Sequence, residues 1–109
     1  MDPGSILPTL LESLPGEEDH HVRLALIRSY LRSLENGTSS LDPAALPVLI
    51  SGLAQEADPK VRGEFIRILG LAASEHEAAK QALIAQFSKE TRPGLLKMIG
   101  QFVSAGDLP

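Results

Sequence analysis

Apolar residues recur along this chain at spacings of three and four, and each run is set off by residues that stop helices. Ile6, Leu7, Leu10, Leu11 and Leu14 make the first stripe. Val22, Leu26, Tyr30 and Leu34 make the second, widened by Leu24, Ile27 and Leu31. Val61, Phe65, Ile68, Leu69 and Ala72 make the third. A helix turns once in about 3.6 residues, so such positions share one side, and the pattern predicts helices throughout. The breaks agree. The polar run at 36–40 suits a helix C-cap and a turn. Asp42-Pro43 and Asp58-Pro59 each set a capping carboxylate before a proline at the first helical position. Ser74 with Glu77 reads as a capping box, and Gly106 closes the last stripe. Six helices are predicted, over 5–14, 19–35, 43–54, 59–73, 75–87 and 91–104. Pro8 falls in the first turn of its helix. Pro47 lies deeper, so a kink or a short preceding turn is expected there.

The stripes are written twice. Displaced by 39 residues, the chain matches itself at Leu7/Leu46, Pro8/Pro47, Leu10/Leu49, Leu14/Leu53, Glu17/Glu56, Asp19/Asp58, Val22/Val61, Arg23/Arg62, Ile27/Ile66 and Arg28/Arg67. No gap is needed, and the two awkward prolines take the same place in each copy. A third, degenerate copy sets 91–100 beneath 61–70, with Arg92 under Arg62, Lys97 under Arg67 and Gly100 under Gly70. Its first helix fits only if the intervening loop is shorter. The reading is three helical hairpins in series, over about 5–35, 43–73 and 75–104, forming a single domain.

Asp-x-x-Val-Arg opens the second helix of both clear copies, at Asp19, Val22 and Arg23 and at Asp58, Val61 and Arg62. With a period near 40 and two helices per unit, the chain resembles the HEAT-repeat family. Pro8 and Pro47 are similar to the proline that HEAT first helices often carry. The third copy is weaker, with Thr91 at the valine position and Glu90 near that of the aspartate. The resemblance implies a right-handed, all-α solenoid whose second helices line a concave side. It also implies a platform for protein partners rather than an enzyme, although some HEAT-like proteins assist bilin attachment or excise damaged DNA bases.

Composition narrows the chemistry. The 109 residues carry a net charge of -4, which argues against a general nucleic-acid binder. There is no cysteine, which removes disulfides, thiolate chemistry and cysteine-ligated zinc. The N-terminal stretch has neither a basic region nor a long apolar one, and no apolar run approaches a membrane span. An intracellular, cytoplasmic location is expected. No Gly-rich phosphate loop, GxSxG, HExxH or cysteine nucleophile is present. No catalytic residue, metal or cofactor is expected.

Six of the ten basic residues fall into two columns aligned with the repeat: Arg23, Arg62 and Arg92, then Arg28, Arg67 and Lys97. The first column follows acidic turns. The resemblance implies Asp-Arg ladders, Asp19 with Arg23 and Asp58 with Arg62, and Arg92 extends the column. The second column, with Arg32 one turn beyond Arg28, is the candidate binding row, suited to the carboxylates or phosphates of an extended partner. Gly52, Gly70 and Gly100 interrupt helical stripes, which points to close helix approach. His20 and His21 are adjacent near a helix start, so they point apart and read as surface polar residues.

Overall fold

The computed structural model describes residues 12–37 and 41–108. Within them lie five α-helices: α1 (His20–Glu35), α2 (Ala45–Gln55), α3 (Pro59–Ala72), α4 (Glu77–Lys89) and α5 (Pro93–Phe102). A 3-10 turn, Ala105–Asp107, follows. No strand occurs among the described residues. The chain is all-helical there, as the periodicity requires. Most of the expected first helix, with Pro8, lies outside the described residues, as does the 38–40 part of the polar turn.

Local chemistry sets the boundaries. Asp58 is the N-cap of α3 and accepts from the backbone N–H of Lys60 and of Val61, with Pro59 just inside. Asp19 caps α1 by accepting from His21 N–H. Asp42 accepts from Ala44 N–H at 2.8 Å, but Pro43 and Ala44 form a turn and α2 begins at Ala45. That places Pro47 in the first turn of α2, where no intrahelical acceptor awaits an N–H. The proline therefore needs no kink. The capping box expected at Ser74 does not form. Residues 73–75 are a turn, α4 starts at Glu77 behind an extended His76, and Glu77 bonds Gln81 instead. The last helix is shorter than expected because Arg92 and Val103 are both extended.

Helix α3 is the hub. It packs against all four other described helices. Val61, Phe65, Ile66, Ile68 and Leu69 are essentially fully buried, so α3 has apolar residues on most of its circumference. Neighbours can be ordered by their contacts. Arg23 meets Glu56, Arg28 meets Glu64 and Arg67 meets Glu35, in rising order on both sides, so α1 and α3 run parallel. Gly63 lies against Leu95 and Gly70 against Phe102, so α3 and α5 also run parallel. Lys89 Nζ, at the end of α4, donates to Ala54 O near the end of α2. Between α2 and α3 the turn 56–58 reverses the chain, and Gly52 faces the Phe65 ring. Thus α1, α3 and α5 lie on one side and α2 and α4 on the other.

Close approach explains two of the three glycines. A Cβ at Gly52 would stand 2.5 Å from Phe65 Cζ, and one at Gly70 would overlap the Phe102 ring. Gly100 has nothing within 4 Å of where its Cβ would be, so close approach is not its reason. Alanine substitutions should therefore differ in sign. Gly52→Ala and Gly70→Ala should each lower stability by about 1–3 kcal/mol through overpacking. Gly100→Ala should raise it by roughly 0.5–1 kcal/mol through helix propensity. Urea midpoints of the three variants check this.

Candidate functional site

Each of α1, α3 and α5 is preceded by a glutamate two residues before its N-cap. Glu17 accepts from Asp19 N–H, Glu56 from Asp58 N–H and Glu90 from Arg92 N–H, at 3.0, 3.0 and 3.1 Å. Two of these carboxylates also hold an arginine from the preceding helix of the layer. Arg23 donates through Nε and Nη2 to the two oxygens of Glu56, at 2.7 and 2.8 Å. Arg62 donates in the same two-pronged way to Glu90, at 3.0 and 3.1 Å. Each arginine turns its remaining nitrogen back onto its own turn. Arg23 Nη1 donates to the carbonyls of Glu17 and Glu18, and Arg62 Nη1 to those of Glu56 and Ala57. The planar guanidinium presents two parallel N–H groups to a carboxylate and keeps others for carbonyls, a geometry lysine cannot copy.

These joints are largely dry. The Glu56 and Glu90 side chains are only 3% and 1% exposed. Burial pushes the Glu90 carboxyl up. The guanidinium of Arg62, the N–H of Arg92, the amide of Gln86 and the N–H of Thr91 more than reverse it, leaving Glu90 below the ordinary value. The hydrogen bond to Glu56 raises Arg23 further above its ordinary value, against the opposing effect of burial. Asp19 and Asp58 are lowered chiefly by the backbone N–H groups they cap.

The expected ladder is thus corrected in its acids. Asp19 and Asp58 are spent on caps, and the carboxylates meeting Arg23 and Arg62 are Glu56 and Glu90. The side chain of an N-cap folds over its own first turn, which leaves the neighbouring arginine to the glutamate two residues earlier. Arg92 is corrected as well. It is the exposed N-cap of α5, the place held by Asp19 and Asp58. The caps align the third copy at a displacement of 34, with Pro93 under Pro59 and Glu90 under Glu56. Leu96 then stands under Arg62 and Gln101 under Arg67. The shared proline is the signal that could have set this register. Glu56 was legible as a matched position, but its partner across the joint was not.

The candidate binding row is divided. Arg28 lies 3.8 Å from Glu64, and Arg67 3.3 Å from Glu35, across the α1–α3 seam. Both arginines stay about half exposed. Arg32 and Lys97 are exposed and make no ion pair among the described residues. Lys97 falls outside the arginine column in the cap register. His20 and His21 do not point apart. Their ring centroids are 4.0 Å apart, His21 Nδ1 is 3.4 Å from Asp19 Oδ1, and His20 Nε2 is 3.8 Å from Asp58 Oδ2. Side-chain torsions bring together what the helix angle separates. The group is fully on the surface.

No family model, curated protein or solved structure matches the chain.

Glu90→Ala should leave Arg62, Gln86 and the α5 N-terminus without their acceptor and cost about 2–4 kcal/mol. Glu35→Ala should cost at most about 1 kcal/mol, because its pair is exposed. Chemical denaturation of each variant separates the two. The pH response follows from the lowered folded-state value of Glu90. Its contribution is present above the ordinary 4.5 and is lost as pH falls through the lower folded value. Asp19 and Asp58 act in the same sense. The stability of Glu90→Gln should therefore fall less steeply than that of the parent on acidification, read as urea midpoints at several pH values.

Proposed function

We propose that the chain is a short right-handed α-solenoid of the HEAT type and acts as a non-catalytic protein-interaction module. The supporting observation is the repeated joint: the same arginine-to-glutamate fork, with the same return to its own turn's carbonyls, occurs at Arg23–Glu56 and at Arg62–Glu90. A joint of this kind fixes helices side by side and leaves one side of α1, α3 and α5 as a platform. On it, Arg28 lies 3.8 Å from the largely buried Glu64, Arg67 holds the exposed Glu35, and Arg32 and Lys97 add charge without an ion pair among the described residues. Exposed ion pairs contribute little, so an incoming carboxylate can replace Glu35 at small cost. The ligand in this reading is an acidic protein segment, bound without metal or cofactor in the cytoplasm. No described helix is long and apolar enough to cross a membrane.

A second reading has one observation in its favour. Glu17 occupies the place of Glu56 and Glu90, but its carboxylate receives no arginine among the described residues. The end hairpin would then stack on another copy or on the rest of a larger assembly. A DNA-directed or accessory enzyme, the third reading, finds no constellation to support it.

The first reading is tested with a fluorescent peptide rich in Asp and Glu. Anisotropy at low salt should show binding that weakens about tenfold in Arg28→Glu/Arg67→Glu and fades as salt rises. Equal affinity for parent and variant would sink the acidic-segment assignment.

A further inference from the structure

A cavity lies beside each of the two arginine–glutamate joints, near the ends of α2 and α4. The first, of about 490 Å³, has Glu17, Arg23, Gly52, Gln55 and Glu56 in its lining. The second, of about 170 Å³, has Glu56, Arg62, Gln86, Lys89 and Glu90. They are the same place in successive units. All eight residues lining the second are repeat equivalents of residues lining the first, at a displacement of 39 as far as Arg23 and of 34 from Gly52 onward.

The two differ in what occupies them. At the second joint Gln86 is buried and donates through Nε2 to Glu90 Oε1 at 2.9 Å, and Lys89 Nζ crosses to Ala54 O at 2.8 Å. At the first joint Gly52 stands in the place of Gln86, and Gln55 in the place of Lys89. Gln55 bonds Ser51 on its own helix and does not cross. Glu56 Oε1 receives Arg23 Nε but no side-chain amide among the described residues. The rest of the Arg23 guanidinium is engaged by Glu56 Oε2 and by the carbonyls of Glu17 and Glu18. Charge differs in the same sense. Arg62 and Lys89 balance Glu56 and Glu90 around the second cavity, whereas Arg23 alone faces Glu17 and Glu56 around the first. The first joint therefore has one positive charge and one N–H donor fewer than the second. An ammonium group supplies both at once. The lining found only at the first cavity is Pro47, Val48, Ser51 and Phe65, which is mostly apolar, and the volume is that of a small-ligand site.

We propose that the cavity between α2 and the turn before α1 binds a small primary amine with a compact apolar body. The ammonium stands at Glu56 Oε1, as the Gln86 amide stands at Glu90 Oε1, and brings the charge that Lys89 brings to the second joint. The apolar body lies over Pro47, Val48 and Phe65. The site uses neither Arg28 nor Arg67, so it is independent of the acidic-segment reading.

Titration of the full chain with hexylamine, followed by nuclear magnetic resonance, provides the test. The amide signals of Gly52 and Ala57 should shift to saturation, with Kd on the order of 1–10 mM for so small a ligand. Hexan-1-ol, the same body without the charge, should bind about tenfold more weakly, and hexanoate should not bind. Gln55→Lys sets the charge of Lys89 at the first joint and should weaken hexylamine about tenfold. Ser51→Trp fills the cavity at unchanged charge and should remove binding. Both positions are exposed, and circular dichroism confirms that the variants keep the fold. Arg67→Glu should leave binding unchanged, which separates this result from the peptide experiment. Shifts that never saturate, shifts that persist in Ser51→Trp, or equal affinity for hexylamine and hexanoate overturn the proposal. Tighter binding of Nα-acetyl-lysine amide than of hexylamine overturns the assignment to a free amine, in favour of a lysine side chain from a protein.

Discussion

A buried carboxylate has to be answered, and much of this molecule is arranged around two of them. Glu56 and Glu90 sit beneath guanidinium groups delivered from the preceding helix of the same layer. Neither charge would be stable alone at that depth, since an uncompensated buried ion costs several kcal/mol. The glutamate is therefore a joint with two duties. It holds the backbone at the start of its own helix, and it fixes where the previous helix must lie. Because the fork is planar and bidentate, it sets orientation as well as distance. Parallel order in α1, α3 and α5 follows from pairing a helix start with a helix start.

The apolar core completes what the joints begin. Helix α3 is buried on most sides because it has neighbours on most sides, and its sequence shows that in Val61, Phe65, Ile66, Ile68 and Leu69. Gly52 and Gly70 give room to aromatic rings from adjacent helices. Tyr30, the single tyrosine, shows the same economy at another seam. Its ring is buried in α1, and its hydroxyl accepts from the N–H of Asp42, tying the approach to α2 back onto α1. Burial raises the phenol above its ordinary value, so it remains neutral and able to hold that contact.

The helical class and most helix positions were legible in the sequence because spacing of apolar residues and N-cap chemistry act locally. Asp58 and Pro59 mark a helix start, although the same pair at Asp42 and Pro43 opens a turn and α2 begins only at Ala45. Ser74 carried the same kind of signal and failed, because Glu75 and His76 bond back to Ala72 O and the turn outlasts the motif. The joint was only half legible. Arg23 and Arg62 stood out as repeated positions, but the sequence places an aspartate nearer to each than the glutamate it uses. Proximity along the chain favours the cap, and proximity in space, across 33 and 28 residues, favours the joint. The third copy was misregistered for a related reason. Similar side chains aligned Arg92 with Arg62, whereas the backbone aligns its cap and its proline.

The joint is also directional, and this bears on how such a chain can change length. Each full unit carries an acceptor just before its cap and a donor four residues after it. A duplication in frame would therefore supply a new glutamate for the arginine behind it and a new arginine for the glutamate ahead. Neither neighbour would need to alter. With Leu96 in place of a donor, the last helix receives this connection and does not extend it. The single turn that starts α3 thus holds, within seven residues, both the socket and the plug by which units of this kind can be added or removed.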